Sequence, residues 1–192
     1  GIFRMKIKHV LHTLGAFLFI LGLTMLVPLG CALFYGETDA WGFLLSIGIT
    51  SATGGILYFA CRAPGEKIVL THREGFLIVS GGWILASFFG GLPYMIHGSL
   101  PSLTDACFET MSGFTTTGAT VINRIEALPH GILLWRSMTQ WLGGMGIIIL
   151  SVAVLPFLGV GGRQLFKAEV PGPLKDKLEP RIAETARSLW LV

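Results

Sequence analysis

Lys, Arg, Asp and Glu are absent from four long stretches of the chain: residues 10–36, 40–61, 75–104 and 137–162. Each exceeds the roughly 20 apolar residues that cross a bilayer core as a helix. The pattern therefore predicts four spanning helices. Between the third and fourth lies a shorter element of different character. Pro101 and Ser102 mark a helix start, Asp105 suits the positive end of a helix dipole, and Gly113 marks a stop. A helix over 103–112 would be only about 15 Å long and cannot cross a membrane. It predicts either a surface helix or a re-entrant one. The run that follows, 114–120, is Phe-Thr-Thr-Thr-Gly-Ala-Thr. It is too polar to face lipid and too apolar at its flanks for an ordinary loop. Non-helical backbone survives at membrane depth only where protein buries it or where it lines a watery path.

Composition agrees with a chain dissolved in lipid. Of 192 residues 52% are hydrophobic and only 13% charged, half the charge of a typical soluble domain. The expected class is an all-α integral membrane protein, a helix–pore loop–helix repeat preceded by a transmembrane helix pair. The net charge of +3 does not indicate nucleic acid, because the basic residues flank apolar runs and form no aromatic-interleaved stripe. Arg4, Lys6, Lys8, Arg62, Lys67, Arg73, Arg163, Lys167, Lys175, Lys177, Arg181 and Arg187 all fall on one side of the four spans. Those are twelve of the fourteen basic residues, and the positive-inside rule makes that side cytoplasmic. The first outer loop carries Glu37 and Asp39 and no basic residue. The amino terminus is thus expected inside. The chain opens on Gly1-Ile2 and stops within a helical pattern at Trp190-Leu191-Val192, so a piece of a longer protein is expected.

The threonine run carries the candidate chemistry. A dehydrated cation needs a cage of oxygens, which stacked backbone carbonyls supply in potassium filters. Aiming successive carbonyls at one axis takes unusual backbone angles, and glycine permits them at Gly118. Thr116 and Thr117 would add carbonyls, with Thr115 and Ala119 flanking them, and the negative end of the preceding helix would face the ion.

Met111-Ser-Gly-Phe-Thr-Thr-Thr-Gly-Ala-Thr120 resembles the first pore loop of the membrane subunit of the bacterial Trk potassium uptake system, in the wider group of Trk, Ktr and plant HKT transporters. Trp135-Arg-Ser-Met-Thr-Gln-Trp-Leu-Gly-Gly-Met-Gly-Ile-Ile-Ile-Leu150 is similar to the helix after it. The runs 155–162, 168–175 and 180–187 are similar to its cytoplasmic connector. The resemblance implies potassium uptake across the bacterial cytoplasmic membrane by a subunit of four pore-forming repeats, of which this chain holds one. It implies a helix pair over 1–66, the first repeat over 67–165, and over 166–192 a connector leading into the next repeat. It also implies a homodimer, a cytosolic nucleotide-binding regulatory subunit, and potassium as the transported ion with no organic cofactor. Coupling to protons in symport, sodium coupling and a channel-like mode stay open, as does another monovalent cation.

Several residues admit two readings. Glu109 and Arg136 either pair and brace the loop, or Arg136 snorkels and Glu109 faces water; an intramembrane charge is costly and usually paired. Gly143, Gly144 and Gly146 are either a gating hinge or sites of close helix packing. The five tryptophans read as interfacial anchors or packing residues. An intramembrane enzyme needs a nucleophile with its base, paired acids or metal ligands, and the four stretches hold no Asp or Glu. Cys31, Cys61 and Cys107 lack metal-ligand spacing, and no Gly-rich phosphate loop follows a strand. The chain is not expected to be an enzyme.

Overall fold

A computed structural model describes residues 7–62 and 72–154. The expected connector over 166–192, the end of the fourth stretch past Val154 and the basic residues from Arg163 onward lie outside them, as do Arg4, Lys6 and Lys67. The described residues form six α-helices and one 3-10 turn (Ile125–Ala127), with no strand among them.

The first apolar stretch folds as α1 (Ile7–Thr24) and α2 (Leu26–Tyr35), one candidate span of 29 residues interrupted at Met25. Pro28 explains the break. It has no N–H to give the Thr24 carbonyl four residues earlier. Gly36, at φ 67°, ends α2 and turns its N–H back to Ala32 and Leu33. Helix α3 (Ala40–Ala60) returns antiparallel and packs chiefly on α1. Their crossing is close: a Cβ on Gly54 would sit 2.6 Å from the Phe19 nitrogen and 2.8 Å from the Gly15 carbonyl oxygen. Small residues at such a point let backbones touch where lipid offers no hydrophobic drive.

Helix α4 (His72–His97) packs against α1, α3 and α5. Helices α1–α2, α3 and α4 are each long and apolar enough to span a membrane. Helix α4 ends at His97 with Gly98 at φ 87°, so the third uncharged stretch contains both a span and a turn. Helix α5 (Leu103–Phe114) is the expected short helix, its 12 residues measuring about 18 Å. Ser102 caps it, its hydroxyl 3.5 Å from the Asp105 nitrogen. Contrary to the sequence reading, Gly113 does not stop the helix. It lies inside the last turn, where Thr139 presses so close that a Cβ would collide with its hydroxyl. Helix α6 (His130–Val154) is 25 residues, about 37 Å, and long enough to be the fourth span.

Helix α6 begins seven residues before the uncharged stretch suggests. Its first N–H groups are satisfied by acids nearly a hundred positions away: Glu37 Oε2 accepts from the His130 N–H at 2.6 Å, and Asp39 Oδ2 from the Ile132 N–H at 3.2 Å. Asp39, in the loop that joins α2 to α3, is accordingly fully buried. Two units emerge from the packing, Gly1–Gln140 and Trp141–Val192. The first holds the short helix and the threonine run. In the second, Gly143 is buried, Gly144 half-buried and Gly146 exposed, all three within regular helix.

Candidate functional site

The threonine run hangs from the C-terminal end of α5. Three successive amides fold back onto that end: Thr115 N–H donates to the Met111 carbonyl at 2.8 Å, Thr116 to Gly113 at 2.9 Å and Thr117 to Ser112 at 3.0 Å. These bonds take up carbonyls that the last helical turn leaves without partners. Residues 116–120 are exposed.

Alternate residues are left-handed. Thr116 has φ 54° and Gly118 φ 76°. Thr116 is the lone non-glycine residue at positive φ among the described residues, and a β-branched side chain there is a real outlier. Such a residue costs about 1–3 kcal/mol and persists only where surroundings impose it. The hydroxyls supply part of that constraint. Thr115 Oγ1 donates to the Met111 carbonyl at 2.8 Å and lies 2.7 Å from Thr117 Oγ1. At Gly118 a Cβ would meet nothing within 4 Å, so the position demands glycine for its backbone angle alone.

The far end of the run is tied down by the helix side chains. Ser112 Oγ donates to the Ala119 carbonyl at 2.6 Å, which turns that oxygen toward α5. Glu109, one turn earlier, gathers the next two residues. Its carboxylate accepts from Thr120 Oγ1 at 2.9 and 3.1 Å and from the Val121 N–H at 3.1 Å. Arg136 Nε donates to the same carboxylate at 2.8 Å, from α6. The Glu109 side chain is 1% exposed and that of Arg136 17%, so this is an almost dry ion pair. Of the two sequence readings, the geometry has the paired one.

Around this sits a wall of close packing. Trp135 is fully buried, donates to the Gly90 carbonyl at 2.9 Å and stands edge-on to Phe114 with centroids 6.4 Å apart. It is a packing residue, whereas Trp41 and Trp141 are exposed. A Cβ on Gly90 would lie 2.7 Å from Thr110, so only glycine lets α5 lie this near α4. The structure thus gathers Thr115, Thr116, Thr117, Gly118, Ala119, Glu109 and Arg136 into one assembly. Sequence reasoning missed Ser112 and Thr120 as its fastenings. Thr120 carried a signal, being a hydroxyl just past the Gly-Ala pair; Ser112 resembled any helical serine.

The family described as the TrkH cation transport protein matches residues 42–192. The chain is 47% identical over 190 residues to the Trk system potassium uptake protein TrkH of Halomonas elongata, which covers 98% of this chain and 39% of that protein. It is also 47% identical over 191 residues to the protein of the same name from Escherichia coli K12, with the same coverages. The crystal structure of the potassium transporter TrkH from Vibrio parahaemolyticus superposes with a TM-score of 0.78 at 38% identity, over 97% of this chain and 36% of that one. The chain therefore spans about two fifths of the length of the curated relatives it matches. These relatives are transporters by name, not enzymes. With the family matched over most of its length, the chain belongs to the TrkH cation transport proteins.

Proposed function

We propose that this chain is the N-terminal portion of a membrane subunit that takes up potassium across the bacterial cytoplasmic membrane, and that residues 115–119 form one side of its selectivity filter. The observation that carries the reading is the alternation of left-handed backbone at Thr116 and Gly118 while three neighbouring N–H groups are turned onto α5. Amides held on one side leave carbonyls for the other, which is the requirement for replacing an ion's hydration shell. Thr115, Thr116, Thr117 and Gly118 offer those carbonyls; Ala119, whose oxygen accepts from Ser112, fastens the strand. The relatives named as potassium uptake proteins support potassium as the cargo.

The exposed face of the strand fits a pathway whose other sides come from three further repeats. Residues 1–66 are the preceding helix pair, 67–165 the repeat and 166–192 the link to the next one. The amino terminus is cytoplasmic in this reading, following the basic asymmetry. Gly143, Gly144 and Gly146 are a gating hinge, and the complete subunit works as a homodimer with a cytosolic nucleotide-binding partner. The test is Gly118→Ser in the full-length protein. No clash opposes the side chain, so membrane insertion should be normal, but the left-handed φ of 76° is strained for serine by about 1–2 kcal/mol. If that strain rotates a carbonyl off the axis, a loss of about 1.4 kcal/mol shifts potassium-over-sodium preference tenfold. Competitive rubidium and sodium flux in vesicles measures it. Unchanged selectivity at normal expression would make 115–119 an ordinary loop.

A further inference from the structure

Helix α6 starts without a cap of its own. Pro129 holds the N-cap place, its carbonyl accepting from the Leu133 N–H at 3.0 Å, but it has no side-chain oxygen to accept from the first turn. The acceptors come instead from the turn between α2 and α3. Glu37 takes the first helical residue: Oε2 accepts the His130 N–H at 2.6 Å and Oε1 lies 2.8 Å from His130 Nδ1. Tyr35 stacks on the same imidazole with ring centroids 4.0 Å apart. Asp39 takes the third: Oδ2 accepts the Ile132 N–H at 3.2 Å, the bond that an N-cap side chain makes in an ordinary helix. Asp39 and Ile132 are both fully buried. Between them, a Cβ on Gly131 would collide with Oδ2 and lie 3.0 Å from Ala32 and 3.1 Å from the Phe43 ring. The helix pair thus grips the first turn of α6 by polar bonds and by contact.

That grip lies one turn from the fastenings behind the threonine run. Arg136 stands about 6 Å along α6 from Ile132. Its Nε donates to Glu109, which in turn holds Thr120 and Val121. Trp135, bonded to the Gly90 carbonyl, ties the same turn to α4. The free amides at a helix start point along its axis, so acceptors placed there also fix how far the helix reaches. We propose that Asp39 and Glu37 are positioning residues for ion selectivity: through α6 they set where Arg136 holds Glu109, and so the shape of the threonine run. The role rests on residues 115–119 being the filter. It gives the helix pair that precedes the repeat a part in selection, although neither carboxylate bonds to the run itself.

Competitive rubidium and sodium flux through the full-length protein in vesicles, at matched protein level, tests the role. Asp39→Ala removes the acceptor, and the rubidium-over-sodium ratio should fall about three- to fivefold, the size that losing one helix cap implies. Asp39→Asn keeps an oxygen for the Ile132 N–H and puts its amide nitrogen where Oδ1 is buried without a partner, so the ratio should hold. An equal fall in both variants overturns positioning through that hydrogen bond. A role in stability alone would lower both fluxes together; an unmoved ratio in Asp39→Ala therefore overturns the proposal. In an Arg136→Gln background, Asp39→Ala should lower the ratio no further, and a second full drop there overturns the route through Arg136. Should Asp39→Ala fail to insert, Glu37→Ala decides by the same ratio, a fall supporting the role and an unmoved ratio overturning it. Gly118→Ser separates the two readings. A ratio moved by Gly118→Ser but not by Asp39→Ala overturns the positioning role alone, whereas a ratio moved by neither overturns the filter with it.

Discussion

Replacing Glu109 with Gln is nearly isosteric and should nevertheless be costly. All the groups around the carboxylate are donors: Arg136 Nε, Thr120 Oγ1 and the Val121 N–H. Two acceptor oxygens suit them. An amide offers one acceptor and turns its NH₂ against a donor whichever way it lies. Hydrogen bonds to a charged group contribute about 1.5–3 kcal/mol each, so losing the ionic character of one and opposing another amounts to about 2–4 kcal/mol. Arg136→Gln instead leaves a carboxylate that is 1% exposed without its counter-charge, and breaking a buried pair costs about 3–5 kcal/mol. The surviving bonds from Thr120 and Val121 place it toward the lower end. Because each single variant strands the other partner, the double variant Glu109→Gln with Arg136→Gln should lose less than the sum, by about 1–3 kcal/mol. Thermal unfolding of the full-length protein in detergent, read beside vesicle rubidium uptake, measures both stability and function. Additive losses within about 0.5 kcal/mol would mean that the pair does not act as a unit, and the brace reasoning would be refuted.

Gly113→Ala should destabilise the α5–α6 contact by about 1–3 kcal/mol, because the new methyl meets the Thr139 hydroxyl and lies 3.0 Å from its Cβ; Thr139→Ala added to it should restore part of the loss in the same melt. Glu37 predicts a pH effect of defined sign. The His130 hydrogen bond holds its carboxyl below the ordinary value of 4.5, so its contribution is present above that pH and lost as pH falls through the depressed value. Melting temperature of the unmodified protein should therefore drop toward that of Glu37→Gln in acid, and two parallel curves would contradict the pairing.

The spans were legible because a bilayer imposes length and excludes charge, constraints that a single sequence displays openly. The order of short helix, threonine run and returning span was legible for the same reason. What could not be read was anything set by a distant partner. Arg136 bounds the uncharged stretch at Ser137, yet the helix itself starts at His130, with Arg136 inside it paired to Glu109. Asp39 looked like a loop acid until the N-terminus of α6 was placed over it. Gly113 looked like a helix stop, as glycine usually does, but its missing side chain makes room for Thr139. Pattern reports what each residue does to its own neighbourhood, and these three residues serve a neighbour 26 to 93 positions away.

The same distinction explains why the threonine run needs so much support. Thr116 and Gly118 both sit where an ordinary chain prefers not to be, and the exposed face gives them no packing to hold that shape. In the filter role proposed for it, a strand that leaves carbonyls bare for a cation cannot stabilise itself through those carbonyls. Its shape has to come from the other side, and every fastening found there is polar and directional: three amides on the end of α5, the Ser112 hydroxyl on Ala119, and the Glu109 carboxylate on Thr120 and Val121. Apolar packing would have tolerated small rotations of the backbone, whereas a hydrogen bond weakens steeply as its angle closes. Arg136 completes the set from α6, its Nε donating to the same carboxylate at 2.8 Å where the Glu109 side chain is 1% exposed. Substitutions behind the strand, which touch no ion, should for that reason alter ion preference as readily as substitutions within it.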